Sequence, residues 1–271
     1  MIKNIIILSF LLIQIKCFSI SKNISLKICA NDVRKSVNPD AKYETPSMDI
    51  FNFAVNNLKK KLDISYTIDF MPMDRCIFNA NRGEIDAVLD VSYTEERALA
   101  LEYPPGSGPD ETKGPCTSNL KMSCSRYMVL TPKNSKFNYN GKKNNLPFPI
   151  RASLGYSIAK KLEVEFHENV ELSKNDVVCI KKMIRDNNGC VIANFGYIPG
   201  MAEFQFKSLL PQVKINKIPY EMRSNYVPFS KKSKISKEDK LIFWKELSLV
   251  LKDPIIIEKI KEKYLKMQSK D

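Results

Sequence analysis

Hydrophobic and polar positions along the chain follow a repeated strand-then-helix grammar. Ser25 to Ala30 (SLKICA) reads as a strand and leads into a polar loop containing Pro39 and Pro46. Ser47 is placed to cap a helix, because Ile50, Phe53, Ala54, Leu58 and Leu62 recur on one helical face. Ser65 to Met71 (SYTIDFM) alternates apolar with polar residues and predicts a second strand. A short helix starts at Asp74 and ends at Gly83, and Ile85 to Val91 reads as a third strand. Strand, helix, strand, helix, strand requires crossover connections, and these predict a parallel sheet with helices packed on it.

Residues 102 to 124 break this pattern. The stretch PPGSGPDETKGPC predicts an irregular loop. A second unit follows, with strands at Arg126 to Thr131, Ile150 to Leu154 and Cys190 to Phe195. Its helices run from Ser157 to about Phe166 and from Asp176 to Arg185, the latter ending at Asn187-Asn188-Gly189. The chain closes with two helices. Ser236 caps the first, with Asp239 three residues on, and Asp253-Pro254 starts the second. The two units look like similar lobes, so the fold class is α/β.

Composition changes this picture at the amino terminus. Lys3 precedes the apolar run IIILSFLLIQI, and Cys17-Phe18-Ser19 offers a cleavage point, so residues 1–19 are expected to be a secretory signal peptide. The run is too short for a membrane span. Six cysteines then remain: Cys29, Cys76, Cys116, Cys124, Cys179 and Cys190. An even count in an exported chain favours disulfides. The nearest pairings are Cys116 with Cys124 and Cys179 with Cys190, leaving Cys29 with Cys76; free core thiols are the alternative. No C-x-x-C pair occurs and His167 is the single histidine, so no zinc spacing is present and no metal or other cofactor is expected. The net charge of +13 would suit nucleic acid, but the lysines are scattered and often sit beside acids. A solubilising surface, with no nucleic-acid partner, accounts for them.

In an open parallel sheet, ligands sit beyond the carboxyl ends of the strands. That rule points to the turn after Val91, where Ser92 and Thr94 can donate hydroxyl protons and Arg97 can hold a carboxylate at two points. The alternative is that Thr94 caps a short helix and Arg97 pairs with Glu95 or Glu96.

The order LKICAND, a helix, SYTIDFMPMDRCIFNANRGEIDAVLDVSYTEERALALEYP, then RASLGYSIAKKL and NYVPFSKKSK before two helices, resembles the bacterial family 3 extracellular solute-binding proteins. Those are best known as amino-acid receptors of ABC importers. The resemblance covers nearly the whole mature chain. It implies a two-lobed, type II periplasmic binding protein fold with a hinge of two crossing segments, near Ser125 to Tyr127 and Ser224 to Val227. Residues 20–125 and 224–271 would form lobe one, and 126–223 lobe two. It also implies that Arg97, helped by Ser92 and Thr94, binds a ligand carboxylate, and that Gly155-Tyr156-Ser157 closes over it.

Where many such receptors place an ammonium-binding aspartate, this chain has Gly196 or Tyr197. Asp90 stands where a small residue is usual and could receive an ammonium instead. Arg75, in MPMDRC, resembles a subgroup with P-W-x-R-C and is a candidate second anion contact. Tyr93, Tyr156, Phe195 and Tyr197 are candidate pocket aromatics. The function implied is a monomeric, periplasmic, non-enzymatic receptor that carries a small carboxylate ligand to an ABC permease. A sensor or orphan binding protein, and a dehydratase-like enzyme on the same fold, are the alternatives. No nucleophile elbow, phosphate loop or metal cluster favours the enzyme.

Overall fold

A computed structural model describes residues 23–31, 45–60, 62–111, 114–196 and 206–268. The expected signal segment and Tyr197 lie outside the described residues. The chain folds as a two-lobed α/β protein on two sheets.

The first sheet is built on β1 (Ile24–Asn31), which pairs in parallel with β2 (Ile64–Met71) on one side and β3 (Ala87–Val88) on the other. Leu26, Ile28 and Ala30 face α1 (Pro46–Leu58) and the closing helices α6 (Lys237–Lys252) and α7 (Pro254–Gln268), in a core with Phe51, Phe243 and Trp244. Cys29 faces the opposite side, packing with Cys76 and Ala80 of α2 (Met73–Arg82). A strand covered on both faces loses the polar alternation of its second half, and β1 is buried continuously from Ile28 to Ala30. Gly83 ends α2 in the left-handed conformation, at φ 80°, where a side chain would be strained.

The long third strand expected from Ile85 to Val91 does not form. It splits into β3 and β4 (Val91–Ser92), which lie in different sheets. Asp90 causes the break by adopting φ 61°, a left-handed conformation that aspartate tolerates better than most side chains. After α3 (Glu95–Ala100), β5 (Leu101–Glu102) and β11 (Phe229–Ser230) complete the first sheet in antiparallel pairing, in the order β2-β1-β3-β11-β5. Helix α1 is capped by Thr45, whose side chain accepts the Met48 N–H at 3.2 Å, with Pro46 in the first helical position. The cap expected at Ser47 is thus two residues too late, and the Ser47 hydroxyl is free for other work.

The second sheet has the order β4-β10-β6-β9-β7-β8, where β6 is Ser123–Pro132, β7 Ile150–Ser153, β8 Val170–Ser173, β9 Cys190–Phe195 and β10 Val213–Tyr226. Helix α4 (Ser157–Phe166) packs on one face with Tyr127, Val129 and Ile150, and α5 (Asp176–Asp186) on the other with Leu130 and Val191. Strands β6 and β10 are antiparallel and carry the chain between lobes, with Cys124 opposite Ser224 and Ser125 opposite Arg223. Strand β10 escapes a pattern reading because Pro219 and four charged residues interrupt it. The ladder shifts register on either side of Pro219, where a residue with no N–H fits.

Cys29–Cys76 and Cys116–Cys124 are disulfides. The expected Cys179–Cys190 pair is not formed, and both thiols are free and fully buried. Cys179 belongs to the α5 face of the second sheet and Cys190 to the α4 face, so the sheet itself separates them. Burial pushes both thiols up to about 12, which keeps them unreactive. Among the cysteines from residue 29 onward, thiol titration of the native, unreduced protein should therefore detect none, and denaturation without reductant should expose two. Detection of four or more after denaturation would contradict the two bridges.

Candidate ligand-binding site

Between the lobes lies a cavity of about 180 Å³. That is room for several waters or a small ligand. Three segments converge there: the carboxyl ends of β1 and β3, the crossing strands, and the turn before α4.

Arg97 occupies the seam. Thr94 caps α3, accepting the Arg97 N–H at 3.2 Å, and this sets the direction in which the half-buried guanidinium leaves the helix. Nη1 donates to the Ser92 carbonyl at 3.2 Å and to Ser92 Oγ at 3.1 Å. Nη2 reaches across to the carbonyl of Gly155 in the second lobe at 3.3 Å. Buried Ser92 also meets buried Ser157 across the cleft, Oγ to Oγ, at 2.9 Å. Ser157 opens α4, a helix that no side chain caps, so its first N–H groups suit an anion. Tyr156, just before it, lines the cavity, and burial holds its hydroxyl well above the usual tyrosine range.

Asp90 is a separate charged pole. Ser47 donates to its Oδ2 at 2.7 Å and Ser123 to its Oδ1 at 2.5 Å, so two hydroxyls fix the carboxylate on the cavity wall. Asp90 and Arg97 are the charged side chains of the lining. A ligand with one positive and one negative group meets a partner for each.

Other expected residues fall elsewhere. Thr94 spends its hydroxyl on the cap and does not line the cavity. Arg75 is on the exposed face of α2, whereas Met73 of that helix does line the cavity. Tyr93 packs on Tyr103, and Phe195 is a core residue against Phe206. His167 is exposed at the end of α4.

Several lining residues were not among the expected contacts: Asn31, Ser125, Tyr127, Asn194 and Asn225. Asn194 had one usable signal, as the polar residue inside the apolar strand CVIANF. Asn225 is set by register, lying opposite both Ser92 of β4 and Ser123 of β6, and its amide donates to Ser123 Oγ at 3.0 Å and Ser125 Oγ at 2.8 Å.

Behind Asn194 sits Asp176, the first residue of α5, fully buried. It accepts the Ser153 hydroxyl and, at 3.0 Å, the Asn194 N–H. Burial pushes its carboxyl up to about 6, against those two bonds, which lower it.

Among the described residues there is no cluster of side chains able to hold a metal ion, and no helix is long and apolar enough to cross a membrane.

The fold is that of the two-lobed periplasmic binding proteins. Among solved structures, a histidine kinase sensor domain with similarity to periplasmic binding proteins aligns with a TM-score of 0.65 at 10% identity, over 90% of this chain and 96% of that one. The AvGluR1 ligand-binding domain in complex with glutamate aligns at 0.63 and 14% identity, over 90% and 96%. The GluR0 ligand-binding core from Nostoc punctiforme, in complex with L-glutamate, aligns at 0.62 and 14%, over 88% and 98%. No family model matches the sequence. No curated protein matches it either.

The Asp176 carboxyl generates a pH prediction. Its folded value of about 6 lies above the ordinary 3.8, so between those values the folded state keeps a proton that the unfolded state has released. Its contribution is therefore most favourable below about pH 4 and declines as pH rises to about 6. Denaturant melts across this range should show wild type losing stability relative to Asp176→Asn. A flat difference between the two proteins would remove the burial argument.

Proposed function

We propose that the protein is a periplasmic solute-binding protein that captures a small carboxylate-bearing ligand, an amino acid or a related molecule, and delivers it to an ABC importer. The observation that carries this reading is Arg97, which lines the inter-lobe cavity while reaching the opposite lobe at Gly155. A carboxylate there would take a two-point, charge-assisted bond from the guanidinium and a hydroxyl from Ser92 or Ser157, and would lie at the start of α4. Asp90 would receive the ligand's cationic group. The neighbours crystallised with glutamate, and others with serine or alanine, support a ligand of this size and polarity.

The working cycle follows from the two-lobed fold. Lobe one, residues 20–125 and 224–271, binds first through Arg97; lobe two, residues 126–223, closes over the ligand. The closed state is favoured only as far as the ligand touches both lobes. No chemical step is required, and the protein acts as a monomer without a cofactor. Export through the amino-terminal signal segment accords with the two disulfides, which persist in oxidising compartments. A second reading, a sensor module using the same closure, is favoured by the likeness to a histidine kinase sensor domain.

A thermal-shift screen of amino acids, hydroxy acids and simple carboxylates tests the reading. A ligand present at a hundred times its Kd should stabilise the protein by about 2.7 kcal/mol. Arg97→Ala should abolish that gain and leave the melting temperature of the free protein nearly unchanged. A large loss without ligand would make Arg97 a structural residue instead. Uptake of the identified ligand by cells with and without the protein separates transport from sensing.

A further inference from the structure

The cavity between the lobes carries two charges of opposite sign, and both keep bonding capacity. Arg97 Nη1 donates to the Ser92 carbonyl and hydroxyl and Nη2 to the Gly155 carbonyl, so Nε–H and one proton on Nη2 remain, enough to hold a carboxylate at two points. Each oxygen of the half-buried Asp90 takes one hydroxyl, from Ser47 or Ser123, and each can accept a second donor. Every other side chain of the described lining is uncharged. Asp176 lies behind the wall, bonded to Ser153 and to the Asn194 N–H. One carboxylate and one ammonium therefore match the charges of the lining, and a third charge finds no opposite charge there. Its way out to water is restricted on one side. Arg97, Gly155, Tyr156 and Ser157 line both this cavity and a neighbouring groove of about 700 Å³, whose Phe78 and Leu99 are exposed. The Arg97–Gly155 and Ser92–Ser157 bonds lie in that shared wall, so a ligand side chain directed there would have to break them. A charge taken from water without a partner is strongly disfavoured.

Resting on the carboxylate reading above, we propose that the site selects its ligand by charge count. It takes small zwitterions with one anionic group, one cationic group and an uncharged side chain. Acidic and basic amino acids are rejected because they bring a third charge, and plain carboxylic acids because they leave Asp90 unpaired. Asp90 is the specificity-determining residue for both the amine and a second carboxylate, attracting the first and repelling the other.

Isothermal titration with pairs of nearly equal shape isolates charge from size. Asparagine with aspartate, glutamine with glutamate and citrulline with arginine test the side chain; alanine with propionate and norvaline with valerate test the amine. The neutral side chain should bind at least about tenfold more tightly than its charged partner, and the amino acid at least about tenfold more tightly than its plain acid. Asp90→Asn keeps a residue that tolerates the left-handed φ of 61° at this turn. In that variant the advantage of alanine over propionate should fall close to one, with propionate affinity kept or improved, and the gap between asparagine and aspartate should narrow. Neutral side chains that bind no better than their charged partners, or not at all, overturn the charge selection while the carboxylate reading stands. So do plain acids that match the amino acids, or an amine advantage that survives Asp90→Asn. If no carboxylate of any pair binds, the carboxylate reading fails and this inference falls with it. Should the asparagine variant not fold, the wild-type ratios alone decide.

Discussion

The antiparallel pairing of β6 with β10 is the constraint on which the rest of the molecule depends. These two strands carry the chain out of the first lobe and back, so their ladder fixes where each lobe begins relative to the other. It also assembles the cleft. Pairing of β10 with both β4 and β6 places Asn225 between Ser92 and Ser123, three polar residues from distant parts of the chain. The Asn225 amide then ties Ser123 to Ser125 on the neighbouring strand. A paired ladder holds the register of the two strands, which the lobe closure proposed above would require of this connection.

Asp90 is the second determinant. Its left-handed backbone turns the chain from the first sheet into the second within one residue, separating Leu89, which packs in the lobe-one core, from Val91 on β4. The same turn aims the carboxylate at the cavity, where Ser47 and Ser123 hold it. Ser47 is available because Pro46 and Thr45 start α1 without it. A helix start, a strand break and a crossing strand thus combine to orient one charge. Conformational strain at such a residue persists when its surroundings over-determine it, and here they do.

Among the described residues, polar contacts of modest strength cross the seam. They include the Ser92–Ser157 hydroxyl pair, the Arg97 bond to Gly155, and an ion pair between Glu96 and Lys160 that is about two-thirds exposed on both sides. An exposed ion pair contributes roughly 0–1 kcal/mol, a neutral hydrogen bond about 1 kcal/mol, and a bond from a charged donor such as Arg97 about 1.5–3 kcal/mol. In the receptor proposed above, coupling of ligand to closure would require such a balance, because a strongly self-stabilised closed state would respond little to a ligand.

How much of this was legible beforehand differs from element to element. The strands β1, β2 and β9 and the helices α2, α4 and α6 follow from apolar spacing with caps at Gly83 and Ser236, because local burial patterns and backbone preferences are written residue by residue. Arg97 and Ser92 were legible too, since they follow an apolar strand as a polar turn. Neither the division of Ile85 to Val91 between two sheets nor β10 with its interrupting Pro219 could be read that way. The same holds for the opposite faces occupied by Cys179 and Cys190, and for the meeting of Asp90, Asn194 and Asn225 in one cavity. Each depends on which strand lies beside which, and register between segments more than a hundred residues apart is set by the packed whole. By itself the sequence determined strands such as β1, β2 and β9, most of the helices, the α/β class and the polar turn that carries Arg97; the tertiary structure alone decided which polar groups share a wall with Arg97, because hydrogen-bond partners in a cleft are chosen by distance in space.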